Sequence, residues 1–171
     1  MRVQYGILPY RRTKSNSLEL LLITTRQSRR WIIPKGWPIK GLKPTKSAAR
    51  EAYEEAGIRG TVGAKSIGTF VYEKCIEETL GTFPCEVRVF AMRVERQFDT
   101  WPEANERETR WFESSEALSA LQDDGLRELI AAFLKREIGY KSSRRPKLTE
   151  TLPLKAHLLP RSSPDTAQGR G

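Results

Sequence analysis

Four consecutive apolar residues, Leu20, Leu21, Leu22 and Ile23, lie within a segment spanning residues 18–25. Successive side chains of a strand point to opposite faces, so such a run leaves neither face polar and both must be covered. A strand that is dry on two sides belongs inside a layered domain, in a sheet sandwiched by helices. The chain is therefore expected to form an α/β or α+β sandwich. At 171 residues, one domain of this kind uses most of the length.

The neighbouring segments support that architecture. Residues 3–11 read as a strand, joined by the polar turn RRTKSNS to the apolar run, and RQSRR then leads into the short strand Trp31-Ile32-Ile33. Residues 34–44 hold the clusters PKG, WP and KGLKP, which predict a loop. A helix follows, capped by Thr45, or by Lys43 with Pro44 in the first helical position, and stopped by Gly57. Residues 61–74 and 85–94 are expected to pair as strands joined by the loop IEETLGTFP. Trp111 and Phe112 precede a helical stretch over 114–121, and Leu126, Leu129, Ile130, Phe133, Leu134 and Ile138 recur at helical spacing as an apolar stripe against the sheet.

Charge divides the chain unevenly. The net charge is +9, and residues 141–171 supply +5 of it, from seven basic residues against two acids. Residues 1–140 are expected to form the domain and 141–171 a basic, flexible tail. Nucleic acid is a conceivable partner for that tail, but a solvated end is the plainer reading and is favoured. No apolar stretch is long enough to span a bilayer or to serve as a signal peptide, so a cytoplasmic protein without membrane contact is expected. Cys75 and Cys85 have no metal-like spacing and read as free thiols, although facing strands could bring them together. The single histidine, His157, lies in the tail. The domain therefore has no imidazole to act as base, phosphoryl acceptor or zinc ligand. Its chemistry must come from carboxylates, cations, hydroxyls or a metal.

The segment GWPIKGLKPTKSAAREAYEEAGI, residues 36–58, is the most informative. At 100° per residue, Glu51, Glu54 and Glu55 fall on one arc of the helix, beside the arc of Ala48, Ala52 and Ala56 that must face the sheet. Like charges at i,i+4 repel, more so where water is partly excluded. Salt bridges from Arg50, Lys46 or Arg59 would relieve the repulsion, and so would a divalent ion, since Mg²⁺ and Mn²⁺ take carboxylate oxygens together with substrate phosphates. The glycine-rich loop before the helix favours the ion, because it adds backbone amides and the cations Lys35, Lys40, Lys43 and Lys46.

Gly36, Arg50, Glu51, Ala52, Glu54, Glu55, Gly57 and Ile58 fall in register with the Nudix box, which this segment resembles. One position departs, with Leu42 standing where the pattern has its first Glu. That acid supports the box rather than supplying the main metal ligands, so its loss bears on the hydrogen bonding of Arg50 more than on catalysis. RWIIPKGWP, GTVG and the segment around Trp101 and RETRWF look like the diphosphoinositol polyphosphate phosphohydrolase branch, over about residues 3–135. The resemblance implies a Nudix fold with a mixed β-sheet between helices, and hydrolysis of a diphosphate bond in a nucleoside or inositol polyphosphate. It implies Mg²⁺ or Mn²⁺ on Glu51, Glu54 and Glu55, with Glu54, Glu55 and Arg50 as the catalytic group and Arg50 orienting a carboxylate. Lys35, Gly36 and Lys40 would contact substrate, followed by Arg26, Arg29 and Arg30. Glu77, Glu78, Glu103, Glu106 and Glu108 are the candidate bases, and Trp37 or Tyr72 could stack on a base or belong to the core. The alternatives are an RNA 5′-end pyrophosphohydrolase and a non-catalytic Nudix module that binds a nucleotide, RNA or a protein.

Overall fold

The computed structural model describes residues 1–76 and 81–142. The elements run β1 (Arg2–Arg12), β2 (Leu18–Thr24), β3 (Trp31–Ile32), β4 (Lys35–Gly36), α1 (Pro44–Ala56), β5 (Ile58–Val62), β6 (Gly68–Ile76), β7 (Gly81–Gln97), β8 (Thr109–Glu113), α2 (Ser114–Ala120) and α3 (Asp124–Ser142). The strands form one mixed sheet with a central path β3-β2-β1-β7-β5. β1 and β7 are parallel from Arg2↔Cys85 to Tyr10↔Arg93, and the other named pairs are antiparallel. This is the expected α+β sandwich.

β2 is covered on both sides, as its apolar run requires. Leu20 and Leu22 join Phe70, Val87, Leu126, Ile130 and Phe133 in the core beneath α2 and α3. Leu21 and Ile23 join Ile7, Phe90 and Met92 beneath Ala48, Ala52 and Ala56 of α1. The alanines let the backbone of α1 approach the sheet closely, and this brings the adjoining carboxylate arc to the sheet edge.

Several local expectations are corrected. The loop over residues 34–44 contains the two-residue strand β4, which pairs Lys35 with Gly6 and Gly36 with Tyr5. It fits there because β1 pairs with β2 only from Tyr10 to Arg12, leaving the start of β1 open on that side. Residues 61–74 are two strands rather than one. β5 begins directly after Gly57 and pairs with the end of β7, while β6 pairs with its beginning. Between them Gly63, Ala64, Lys65 and Ser66 are exposed, and the segment stays tied to β7 by the Gly63 N–H, which donates to the Ala91 carbonyl at 2.9 Å, and by Ser66 Oγ, which donates to the Val89 carbonyl at 2.9 Å. The expected loop IEETLGTFP is shorter, because β6 continues to Ile76 and β7 already starts at Gly81. Pro84 is tolerated within β7 because β1 joins this strand only from Cys85, so the missing N–H breaks no bond to β1.

The helix cap is Lys43 with Pro44 at the first position, and Gly57 closes α1 in the left-handed conformation at φ 64°. Ile138 leaves the apolar stripe of α3 and is exposed, unlike Phe133 and Leu134. Cys85 is a buried free thiol and lies opposite Tyr72, not Cys75. The expected tail boundary at 140/141 falls within the last turn of α3, and residues 143–171, with His157, lie outside the described residues. Among the described residues, no helix is long and apolar enough to cross a membrane.

Candidate active site

The loop before α1 is pinned to the helix it feeds. The Ile39 N–H donates to the buried Ser47 hydroxyl at 3.1 Å, and the Leu42 N–H to the Ile39 carbonyl at 3.0 Å. β4 then lies alongside the carboxylates. The Lys35 backbone N–H donates to Glu55 Oε2 at 3.0 Å. A Cβ built on Gly36 would lie 2.0 Å from the Glu51 carboxyl carbon, so glycine is needed there for Glu51 to occupy its place.

The three box glutamates occupy different environments. Glu55 is buried, with 6% of its surface exposed, and its Oε1 accepts from Arg107 Nη2 at 2.5 Å. Burial pushes its carboxyl up to about 7, even though the Arg107 guanidinium and the Lys35 amide both favour the charged form. Glu54 is half-buried and accepts from Arg50 Nε at 2.8 Å. Glu51 is half-buried and has no hydrogen bond or ion pair among the described residues. Its carboxyl is raised above the usual range by burial first, then by the negative charges of Glu54 and Glu103. Arg50 thus serves Glu54, and Leu42, which occupies the position of the first box Glu, is exposed and gives it no carboxylate.

The loop between β7 and β8 closes over this end of α1. The Glu103 N–H donates to the Glu54 carbonyl at 3.0 Å, and the Phe98 N–H to the Gly57 carbonyl at 2.8 Å. Arg107 ties the assembly together, donating from Nε to Glu103 Oε2 at 2.6 Å and from Nη1 to the Thr24 carbonyl at 3.0 Å as well as to Glu55. Of the acids proposed as base, Glu103 is therefore held beside Glu55 through Arg107. Glu106 pairs with Arg26 at 2.7 Å, Glu108 lies exposed 3.9 Å from Arg29, and Glu77 and Glu78 fall outside the described residues.

The cations separate in the same way. The Lys35 ammonium donates to the Tyr72 hydroxyl at 2.9 Å, and Tyr72 donates to the buried Gln4 Oε1 at 2.8 Å. Burial lowers the Lys35 amine to about 8, against the pull of Glu55. Lys40 is exposed on the loop. Arg26 is engaged by Glu103 and Glu106, Arg29 donates to the Glu106 carbonyl, and Arg30 donates to Ser28 Oγ. Arg107, Thr24 and Gln4 were not singled out from the sequence. Arg107 stands 52 residues from Glu55, and no local periodicity links the two.

Among the described residues, no three metal-ligating side chains converge in ligand-ready geometry. Glu54 is turned to Arg50 and Glu55 to Arg107. The chemistry of the donor set nevertheless fits a hard divalent cation, since it offers only carboxylate oxygens and Glu51, half-buried among other acids, has no cation of its own. A mixed sheet between helices thus carries an acid-rich helix edge with a glycine-containing strand beneath it.

Comparison with known proteins gives the family. The model of the NUDIX domain matches residues 2–133, and the chain belongs to the Nudix family. Its relatives place it among the Nudix hydrolases, the class acting on phosphorus-containing anhydrides. Nudix hydrolase 21, chloroplastic, of Arabidopsis thaliana is 32% identical over 136 residues, covering 77% of this chain and 66% of that protein. Nudix hydrolase 12, mitochondrial, of the same plant is 28% identical over 150 residues, covering 78% and 73%. These names give no support to the cytoplasmic expectation. Diphosphoinositol polyphosphate phosphohydrolase 3-alpha of Mus musculus is 31% identical, but over 105 residues, covering 60% of this chain and 59% of that protein. The resemblance to that branch is therefore shorter than the resemblance to the plant proteins. Among solved structures, a C. elegans Ap4A hydrolase binary complex superposes with a TM-score of 0.64 at 20% identity, covering 81% of this chain and 99% of the other, and it shares the fold.

Proposed function

We propose that this chain hydrolyses a phosphoanhydride bond in a small nucleoside or inositol polyphosphate. The observation that carries the reading is the half-buried Glu51, which stands without a cation above Gly36 and beside Glu54 and Glu55. Glu51, Glu54 and Glu55 would hold Mg²⁺ or Mn²⁺, which when bound neutralises phosphate oxygens and lowers the pKa of water. Arg50 orients Glu54, and Arg107 fixes Glu55 and Glu103 relative to each other. Glu103 is the proposed acceptor of the proton lost by the attacking water. Lys35 offers its ammonium to a phosphate, while Lys40 and the turn holding Arg26, Arg29 and Arg30 add positive potential at the rim. Residues 1–140 carry this activity, and the tail is accessory to it.

The test is phosphate release with Mg²⁺ and with Mn²⁺ from diadenosine polyphosphates, nucleoside triphosphates, diphosphoinositol polyphosphates and a 5′-triphosphorylated RNA. Glu54→Gln and Glu55→Gln should each abolish most turnover while leaving the circular dichroism of the fold intact, and Glu103→Gln should lower kcat. Near-normal rates in the first two variants would reject the reading. Turnover confined to the RNA would shift it to 5′-end processing, and binding of these compounds without turnover would make the chain a non-catalytic module.

A further inference from the structure

α1 has two flanks. On one, Glu51 stands over Gly36 of β4. At about 100° per residue, Ala49, Arg50 and Tyr53 fall on the other, toward β5. A cavity of about 600 Å³ opens there, walled by Ala49, Tyr53, Met92 and Pro102 and by the two cations Arg50 and Arg59. A space of that size suits a small organic ligand.

Cations gather at this cavity without acids to match them. Arg59 stands directly opposite Arg96 in the β5–β7 ladder, and like charges so placed destabilise a strand pair. The Arg59 guanidinium lies 4.8 Å from the centre of the Tyr53 ring and 5.3 Å from that of Phe98, and the Arg96 guanidinium lies 4.4 Å from the same Phe98 ring. Tyr53 and Phe98 meet edge to face at 5.5 Å, so the two rings hold both cations beside each other. Among the described residues, neither Arg59 nor Arg96 has an ion pair.

Glu54, the acid of the cavity wall, is already matched. Arg50 Nε donates to it at 2.8 Å, and the terminal nitrogens of Arg50 have no hydrogen bond among the described residues. Arg50 can therefore keep Glu54 and present the rest of its fork to a second anion. The charge left over is that of Arg59 with Arg96 beside it. A carboxylate would bring one negative charge to this pair, whereas a phosphate monoester brings nearly two at neutral pH.

We infer that this cavity binds a small phosphate monoester, its phosphate held between Arg59 and Arg50 and its apolar body packed against Tyr53 and Met92. The site lies across α1 from Glu51 and Glu55, and binding there requires neither a divalent ion nor turnover.

The full chain in EDTA is titrated with phenyl phosphate, inorganic phosphate and phenol and followed by two-dimensional amide NMR. Phenyl phosphate should shift the Tyr53 and Gly60 amides saturably, inorganic phosphate should shift the same amides with weaker affinity, and phenol should leave them in place. Arg59→Gln should weaken phenyl phosphate roughly tenfold, and Arg59→Lys, which keeps the charge, should recover part of the loss. Arg96→Gln, which leaves the cavity wall intact, should weaken binding less than Arg59→Gln. Because Arg59→Gln relieves the repulsion from Arg96, it should unfold in urea no more readily than the native chain. If it fails to fold, Arg59→Lys and Arg96→Gln carry the comparison, and native affinity in both overturns the assignment. It is also overturned if phenyl phosphate shifts Gly36 and not Gly60, if a folded Arg59→Gln binds as tightly as the native chain, or if phenol shifts Gly60 as strongly as phenyl phosphate does.

Discussion

Arg107 joins Glu55 to Glu103 across the interior, bonding both carboxylates and the Thr24 carbonyl with one guanidinium that is only 9% exposed. The planar fork lets one side chain meet three acceptors from different elements, which a lysine cannot do. Removing it would leave Glu55 buried without its cation. Breaking a buried pair from one side costs about 3–5 kcal/mol. Arg107→Ala should therefore lower the urea-derived stability by about that much, and Arg107→Lys should recover only part of it. Glu55→Gln, which removes the charge and keeps the shape, should cost clearly less. Equal stability of Arg107→Ala and the native chain would show that the triad holds nothing together.

The protonation of Glu55 gives stability a pH dependence of definite sign. Its carboxyl titrates at about 7 in the folded chain, against 4.5 when unperturbed. Between these values the folded state holds a proton that the unfolded state has lost, so stability must fall as pH rises through this window. The fall is on the order of 3 kcal/mol without divalent metal. Urea titrations in EDTA at pH 5 and pH 7.5 should show it, and Glu55→Gln should flatten the difference. For the same reason, Mn²⁺ affinity measured by electron paramagnetic resonance should rise as pH increases through 7, because the ion must displace that proton.

The legible parts of the molecule were those set by local rules. The run from Leu20 to Ile23 announced a strand buried on both faces, and its alternate residues do divide between the two cores. Pro44 and Gly57 bracketed α1, and the spacing of Glu51, Glu54 and Glu55 placed them along one edge of it. What stayed hidden depends on contacts between distant segments. β5 and β6 run along one long β7 in different registers, Val62 opposite Met92 and Gly68 opposite Val89, and that shift is set by pairing with a distant strand rather than by the intervening residues. Arg107 looked like any other cation in a charged loop, and only closure of that loop over α1 brings it to Glu55.

Gly57 should resist substitution for two reasons that reinforce each other. Its φ of 64° is strained for any residue with a side chain, and a Cβ there would lie 2.6 Å from the Trp101 ring. The backbone term alone is roughly 1–2 kcal/mol, and displacing the ring adds to it. Gly57→Ala should lower the melting temperature, and it should also loosen the loop carrying Glu103, which would appear as faster hydrogen exchange at the Phe98 amide bonded to Gly57.

Gly36 presents the contrasting case, because its crowding partner is the flexible end of a side chain. A Cβ there meets all three terminal atoms of Glu51 within 2.3 Å, and rotation of Glu51 relieves the clash without moving backbone. Gly36→Ala should therefore unfold close to the native chain, within about 1 kcal/mol. The carboxylate itself would be expelled from its place beside Glu54 and Glu55. Mn²⁺ affinity should then drop to that of Glu51→Ala, and combining the two substitutions should cause little further loss. Full metal affinity in Gly36→Ala would show that Glu51 does not act from the position it holds above the glycine.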